Sequence, residues 1–424
     1  MSLASHEALL TRVEGEGKVK LIFGDKGIER VEVHIVEAPR FIEYAMRGRK
    51  PAEVPEIASR ICGICSVSYQ MAASTAFERG MGIDVPYEQE RLREAIFTAE
   101  HVKSNVLHIL YLQLPDILGA SSSLEVFKKD PSLHKMAVDL FMWSRKVMRI
   151  LGGRYHNVVN VRIGGVYRMP EQSEVRSLSV EAERAITNAR KLSEFVLENI
   201  ERFPKYEQKI RKMALCDSVD YPLVSREICY EGRRFDVSEF EDEVLPEQVS
   251  YSNSLRYRTK AGEIYVVGPI SRFSTSFYSM REEVRRMLKS FGFSPPLRNI
   301  HCSVVARAAE LYEFILRLTD FIDSYRPEQV EVKEIAIAPG VYWGAVEAPR
   351  GILYHRYRVN ERGTVEEANI VPPTSQNLLA MEEFSMEHLR KIGLVGGEEL
   401  RGEMVKEVGK VIRQFDPCIS CSVH

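Results

Sequence analysis

Asp416-Pro417-Cys418-Ile419-Ser420-Cys421-Ser422-Val423-His424 closes the chain, and its Cys-x-x-Cys pair has a counterpart near the other end in Arg60-Ile61-Cys62-Gly63-Ile64-Cys65. Two such pairs supply four soft, anionic donors that can close around a metal centre if the fold brings the chain ends together. That condition dictates the expected architecture, a single unit over residues 1–424 whose N- and C-terminal segments meet at a metal site. Spacing alone leaves three uses of the pairs open. One is structural zinc, although zinc staples usually have ~15–20 residues between pairs, and here most of the chain separates Cys65 from Cys418. A thioredoxin-like dithiol is the second, but neither pair sits in the strand–helix–strand setting of that motif. The third is a catalytic metal whose ligands come from opposite ends of a large fold.

Outward from the two pairs, helical patterns dominate. Leu400, Met404, Val408, Val411, Ile412 and Phe415 form one stripe of a helix over 399–415 that Pro417 stops. Another helix is expected to start beside Cys65 and run to about Phe77, and free amides at its N-terminus favour a thiolate there. Long helices are expected over 88–113, 132–151, 172–203, 278–290, 299–325 and 376–392. Residues 8–38 read as strand, turn and strand: Val19, Leu21 and Phe23 alternate with their neighbours, Asp25-Lys26-Gly27 turns, and Val31, Val33 and Ile35 resume the alternation. Gly351–Val359 and Thr364–Val371 pair through the turn at Glu361-Arg362-Gly363. The fold class is therefore α+β and helix-dominated, a central bundle of long helices with small peripheral β-sheets.

Bulk composition excludes several functions. With 58 basic and 60 acidic residues the net charge is −2, which gives no electrostatic footprint for nucleic acid or an anionic membrane. No apolar run reaches the ~18 residues of a membrane helix; the stretch around Val106 to Leu118 is cut by His108, Gln113, Pro115 and Asp116. Without a signal core or twin-arginine pair, the expected location is the cytoplasm. Charged residues make up 28% of the chain, above the usual ~25%, a composition in keeping with a heat-adapted protein. Cys216, Cys229 and Cys302 stand apart from the pairs. The odd total of seven cysteines argues against a disulfide framework, so the three are expected as buried small apolar residues.

Taken together, Arg60-x-Cys62-Gly63-x-Cys65 and Asp416-Pro417-Cys418-x-x-Cys421-x-x-His424 resemble the two end motifs of nickel–iron hydrogenase large subunits. Arg12-Val13-Glu14-Gly15, Arg40-Phe41-Ile42-Glu43, Glu347-Ala348-Pro349-Arg350-Gly351 and Pro373-Thr374-Ser375-Gln376-Asn377 agree, in the family's order, from residue 12 to 424. The length and the ending most resemble the alpha subunits of cytoplasmic NAD(P)-linked hydrogenases, or sulfhydrogenases, of hyperthermophilic archaea. The family shares its fold with core subunits of quinone-reducing respiratory complexes, but those have lost metal-binding cysteines and all four remain here.

The resemblance implies a Ni–Fe centre with Cys62 and Cys418 as terminal nickel ligands and Cys65 and Cys421 bridging to an iron that carries two cyanides and one carbonyl. It implies heterolytic cleavage or production of H2, with Glu14 passing protons to and from Cys418. Arg350, after Pro349, is expected over the open side of the metals with Asp116 and Asp416 orienting it, and Thr374 or Ser375 is expected to hydrogen-bond a cyanide. Glu43, His424 and a backbone carbonyl near Ile370 match a separate magnesium or iron site. A family protease trims precursors just after this histidine, so a chain ending at His424 is expected to be mature. The family's usual histidine four residues after the first pair is replaced by Tyr69, which can donate one hydrogen bond but cannot become cationic near neutral pH. His101, His108 and His156 are expected to pack between helices.

Too few cysteines remain for an iron–sulfur cluster. By resemblance the electrons leave through an iron–sulfur small subunit, joined by flavin- and NAD(P)-binding and ferredoxin-like subunits that reduce NAD(P) or sulfur.

Overall fold

Four long amphipathic helices close a ring, each packed against the next: Tyr87–Leu107 (α2), Pro131–Gly152 (α3), Ser179–Asn199 (α4) and Ser303–Ser324 (α5). The computed structural model describes residues 4–217, 221–332 and 335–424. Local chemistry sets the helix ends. The Asp130 carboxylate accepts the amides of Ser132 and Leu133, Pro131 opens the first turn of α3, and Gly153 at φ 80° ends it. In α5, Val304, Val305, Ala308, Leu311, Ile315 and Leu318 are fully buried, and so are Arg307 and Glu310 on the same helix. Charges at such positions are held only by partners, and these two point to the site described below.

The helix Ser66–Met81 (α1), whose N-cap residue is Cys65, extends one turn beyond the expected Phe77 and packs across a three-stranded antiparallel sheet. That sheet is Gly340–Ala348, Gly351–Val359 and Val365–Val371, with Tyr354 opposite Val371 and Ala348 opposite Gly351. Gly344 permits the close approach: a Cβ there would lie 2.5 Å from the Ala72 carbonyl oxygen and 2.6 Å from the Ala76 nitrogen. The expected N-terminal hairpin is present as Gly17–Gly24 and Gly27–Ile35, with Ala4–Leu9 added as an edge strand. The expected helix over 88–113 ends its α-helical part at Leu107 and continues through a π-helical turn, His108–Gln113. The expected 172–203 helix breaks into Gln172–Arg176 and α4. A further helix, Pro269–Ser276, precedes the one expected over 278–290. Pro373–Lys391 (α6) and Arg401–Gln414 (α7) pack on each other and feed the C-terminal turn. Among the described residues, no helix is long and apolar enough to cross a membrane.

One expectation is overturned. Cys216 and Cys229, read as isolated apolar residues, form a disulfide across the neighbouring strands Met213–Cys216 and Glu227–Tyr230. The register sets Cys216 opposite Glu227 and Ala214 opposite Cys229, which leaves the two cysteines diagonal neighbours with Cα atoms 5.7 Å apart. The odd cysteine total concealed the pair because the bond depends on strand register, which cysteine spacing does not encode. Cys302 is free and half-buried.

Candidate metal centre

The chain ends meet through backbone pairing. The Glu14 amide donates to the Pro417 carbonyl at 3.4 Å and the Ile419 amide donates to the Glu14 carbonyl at 2.9 Å, so Arg12–Gly15 and Pro417–Ile419 run side by side. Arg40 adds a second seam: its amide donates to Val423 O at 3.0 Å and its guanidinium to the carbonyls of Ile61 (2.8 Å) and Ser420. The helix end is gripped as well. His108 Nε2 and Gln113 Nε2, from the π-helical turn, donate to the Arg413 carbonyl at 2.8 and 2.9 Å.

These seams gather Cys62, Cys65, Cys418 and Cys421 so that their sulfurs all lie within 4.8 Å of one another, all buried. Cys62 and Cys418 Sγ are 3.6 Å apart, and Cys65 and Cys421 Sγ are 3.8 Å apart. Each close pair thus takes one thiol from either end of the chain. The Cys65 amide donates to Cys62 Sγ at 3.2 Å. Burial resists ionising any of the four. It pushes the thiols of Cys65, Cys418 and Cys421 up, whereas at Cys62 the neighbouring thiols and the Arg350 charge outweigh burial and bring the group well below the usual thiol range. The protein alone therefore does not favour ionising all four sulfurs together. A soft cationic centre supplies the missing counter-charge, so the donor set fits a thiolate-held metal.

A small pocket opens on the sulfurs of Cys65, Cys418 and Cys421, bordered by Tyr69, Pro349, Arg350, Pro373 and Thr374. Two polar atoms on its wall are buried and, among the described residues, without a hydrogen-bond partner: the Tyr69 hydroxyl and Arg350 Nη1. Burial, reinforced by the thiols, raises Tyr69 well above the ordinary phenol range, which keeps it a donor. The Thr374 hydroxyl accepts the Cys418 amide at 3.0 Å and retains its own proton to donate. Ser375 does not border the pocket; its hydroxyl bonds Ser254 Oγ at 3.1 Å and the Ser422 carbonyl at 3.5 Å. Of these two hydroxyl residues, only Thr374 borders the pocket.

Arg350 donates through Nε to the Asp416 carbonyl at 2.6 Å and through Nη2 to Asp416 Oδ1 at 3.2 Å. Burial disfavours its charge, but Asp416 and the thiols outweigh that and hold its pKa well above the usual value. Asp116, expected beside Arg350, is placed elsewhere: it pairs with Arg413 (2.6 Å) and with Arg12. The reason is helix geometry. Asp116 lies beyond the π-helical turn and faces α7, so it braces the approach to the cysteines rather than the guanidinium over them. The group that joins Asp416 and Arg350 is Arg307, whose Nη2 lies 3.0 Å from Asp416 Oδ2. Sequence reading missed it, although an arginine set among Val304, Val305, Ala306, Ala308 and Ala309 was the available sign.

Glu14 Oε2 accepts from Cys418 Sγ at 3.0 Å, and its other oxygen takes the Ser420 hydroxyl. Ser420, also missed, is found only because the turn folds back on Glu14. At the chain end His424 Nε2 lies 3.4 Å from Glu43 Oε1, while His424 Nδ1 donates to the Cys421 carbonyl at 2.8 Å. Glu43 Oε1 also accepts the Ile370 amide at 2.6 Å, so Ile370 meets this carboxylate through its N–H rather than its carbonyl. His101 Nε2 donates to the Glu347 carbonyl at 2.9 Å and His156 Nδ1 to the Gly63 carbonyl at 3.0 Å. Burial holds His101 and His108 far below the usual histidine range, which suits neutral packing groups.

Comparison with known proteins agrees with this geometry. A sequence model of the nickel-dependent hydrogenases matches residues 40–142 and 225–424. The sulfhydrogenase 2 alpha subunit of Pyrococcus furiosus is 31% identical over 418 residues, covering 98% of this chain and 97% of that one. The beta subunit of the NAD-reducing hydrogenase HoxS of Cupriavidus necator is 25% identical, covering 98% and 93%. In fold, the chain is similar to an NAD+-reducing [NiFe]-hydrogenase solved in its H2-reduced state, with a TM-score of 0.83 at 20% identity and full coverage of both chains. This chain, with both end motifs folded into one buried four-thiol site, belongs to the nickel-dependent hydrogenases as a catalytic subunit.

Proposed function

We propose that the chain is the H2-activating subunit of a bidirectional NAD(P)-linked hydrogenase in the cytoplasm, where the coenzyme pool resides. The observation that carries this reading is the meeting of Cys62, Cys65, Cys418 and Cys421 beside a carboxylate and a buried guanidinium. These cysteines would hold a Ni–Fe centre with cyanide and carbonyl on the iron, each of the four supplying a thiolate. When bound, such a centre supplies the Lewis acidity and two-electron capacity needed to split H2 heterolytically. Glu43 and His424 would hold a magnesium ion nearby.

The protein's own contributions follow from the geometry. Cys418 accepts the proton of the cleaved H2, and Glu14, 3.0 Å away, takes it onward. Arg350 presents the unpartnered Nη1 to the pocket, a fixed cation that stabilises charge developing there in a site shielded from water. Asp416, itself paired with Arg307, holds that guanidinium in place, and Pro349 borders the same pocket. Tyr69 and Thr374 can each donate one hydrogen bond toward ligands in the pocket. Asp116 acts at a distance by fixing Arg413 and Arg12 around the C-terminal turn.

The names of the relatives support the remaining parts: sulfhydrogenase alpha subunits, and the beta subunit of an NAD-reducing enzyme. We place an iron–sulfur small subunit against this chain, flavin- and NAD(P)-binding and ferredoxin-like subunits beyond it, and a maturation protease before assembly. The test is elemental analysis of the purified complex together with H2-dependent reduction of NADP. About one nickel per chain, infrared bands of cyanide and carbonyl, and coenzyme reduction are expected; zinc alone would overturn the reading.

A further inference from the structure

Resting on the reading of Arg350 as the cation that acts in the pocket, we propose that Arg272 is its positioning residue, gripping the turn that carries Arg350. Arg272 lies in the helix Pro269–Ser276 and is fully buried, as are Glu310 and Glu347 beside it. All five N–H groups of its guanidinium are used. Nε and Nη2 donate to the two oxygens of Glu310 at 2.7 and 3.0 Å, and Nη1 donates to Glu347 Oε2 at 2.8 Å. The other two bonds reach main chain: Nη1 to the Ala348 carbonyl at 2.9 Å and Nη2 to the Pro349 carbonyl at 3.1 Å. The Pro349 carbonyl shares one planar peptide unit with the Arg350 nitrogen, so holding it restricts the direction in which the Arg350 side chain leaves the backbone.

Pro349 and Arg350 form the two-residue turn between Ala348 and Gly351, which face each other across the sheet. Backbone packs directly against this turn. A Cβ at Gly268, whose φ is +117°, would lie 2.7 Å from the Arg350 carbonyl oxygen, and one at Gly351 would lie 2.7 Å from the Gly268 nitrogen. Asn377 fixes the residue before Gly268: its Oδ1 accepts the Val267 amide at 3.0 Å and its Nδ2 donates to the Val267 carbonyl at 3.1 Å. The two carboxylates are anchored in turn. Glu347 Oε1 accepts the Leu215 amide at 2.7 Å, and Glu310 Oε1 accepts the Tyr221 hydroxyl at 2.6 Å. Glu310 also connects to the guanidinium end of Arg350. Its Oε2 lies 3.5 Å from Asn105 Nδ2, Asn105 Oδ1 accepts Arg307 Nη1 at 3.0 Å, and Arg307 pairs with Asp416. Arg350 is thus held from both ends, its main chain by Arg272 and its side chain by Asp416. A buried charge cluster adds little net stability over apolar packing of the same volume. What it adds here is a grip on two carbonyls, which an apolar side chain cannot provide.

The competing view is that this cluster only stabilises the fold. Arg272→Lys separates the two, since one ammonium cannot span two carboxylates and two carbonyls. In the assembled complex, Arg272→Lys is expected to keep its nickel and to lower H2 oxidation about tenfold or more. Added to Arg350→Lys it should cost no more than about a further twofold, because it acts through Arg350. Hydrogen exchange of the segment 345–353 should speed up in Arg272→Lys. Arg93→Lys, which disturbs another buried pair (Arg93 with Glu78 at 2.6 Å), should leave that segment and the rate at parental values. Parental turnover in Arg272→Lys, an additive loss in the double variant, or an equal loss of rate in Arg93→Lys would overturn the proposal. Should Arg272→Lys fail to assemble, Glu310→Gln decides in its place, because it keeps the side-chain shape while weakening the hold on Arg272. A several-fold loss that vanishes beside Arg350→Lys is then expected, and parental turnover would overturn the proposal. Arg350→Lys distinguishes the levels: normal turnover there removes the Arg350 reading and this one with it, whereas an impaired Arg350→Lys beside a parental Arg272→Lys removes Arg272 alone.

Discussion

The two cysteine pairs reach the same site by different means. Cys62 and Cys65 are held by a neighbouring helix: Cys65 caps α1, the Val67 and Ser68 amides donate to Glu100 at 2.7 and 2.9 Å, and His156 secures the Gly63 carbonyl. Cys418 and Cys421 lie at the end of the chain in a short turn, and what holds it comes from far along the sequence: Glu14, Thr374, and Asp416 clamped by Arg350 and Arg307. Carboxylate contact to a thiol occurs on this second pair, where Glu14 meets Cys418. The first pair anchors; the second is placed to handle protons. A site that must exchange protons gains from ligands whose positions are set by polar side chains, because those same side chains can carry the proton.

The largest expected effect ignores this asymmetry. Replacing any one of the four cysteines with serine should abolish nickel binding, since a hard hydroxyl is a poor substitute for a soft thiolate. Nickel content of the purified complex measures it, and a Cys418→Ser variant with full nickel would break the equivalence of the pairs. Asp416→Asn bears on the second pair alone. It leaves Arg350 and Arg307 buried without their carboxylate, and breaking a buried pair in this way costs roughly 3–5 kcal/mol. Denaturant unfolding should show that loss; an unchanged midpoint would mean the C-terminal turn does not depend on the clamp. Arg350→Lys keeps the charge but loses the planar fork that holds Asp416 at two points. H2 oxidation should fall roughly 10²–10³-fold with nickel retained.

The smallest effect concerns the helical anchor of the first pair. Burial raises the Glu100 pKa from 4.5 to about 7, against the charge of Lys103 and the hydrogen bonds of Ser68 and Val67. The native state therefore keeps this proton over a range in which the unfolded chain has lost it. The stabilisation is complete below about pH 4.5 and is lost as pH rises through about 7. For a fully buried group that is on the order of 3 kcal/mol. Glu100→Gln should flatten this part of the stability–pH curve, which melts at pH 5 and pH 8 would compare; an unaltered slope would show that Glu100 is not the titrating anchor.

Much of this site was legible before any coordinates. Glu14, Arg350, Asp416, Thr374 and the four cysteines lie in short motifs, and each stands within the constellation. What could not be read were contacts between motifs. Asp116 turned from Arg350 to Arg413 because a π-helical turn precedes it. Ser375 faces Ser254 while Thr374 faces the pocket, a choice set by which side of the first turn of α6 meets Cys418. The Cys216–Cys229 bond follows strand register. Arg307 and Ser420 carry no motif of their own and gained a role only through what lies across from them.

Spacing and residue type by themselves determined the donor chemistry, the helix-rich class and the hairpin at the start of the chain, because ligand softness, helical period and turn residues act over a few positions. The tertiary structure alone decided which carboxylate serves which cation and which hydroxyl faces the sulfurs. Those outcomes depend on geometry across hundreds of residues, where a single rotated turn exchanges one partner for another.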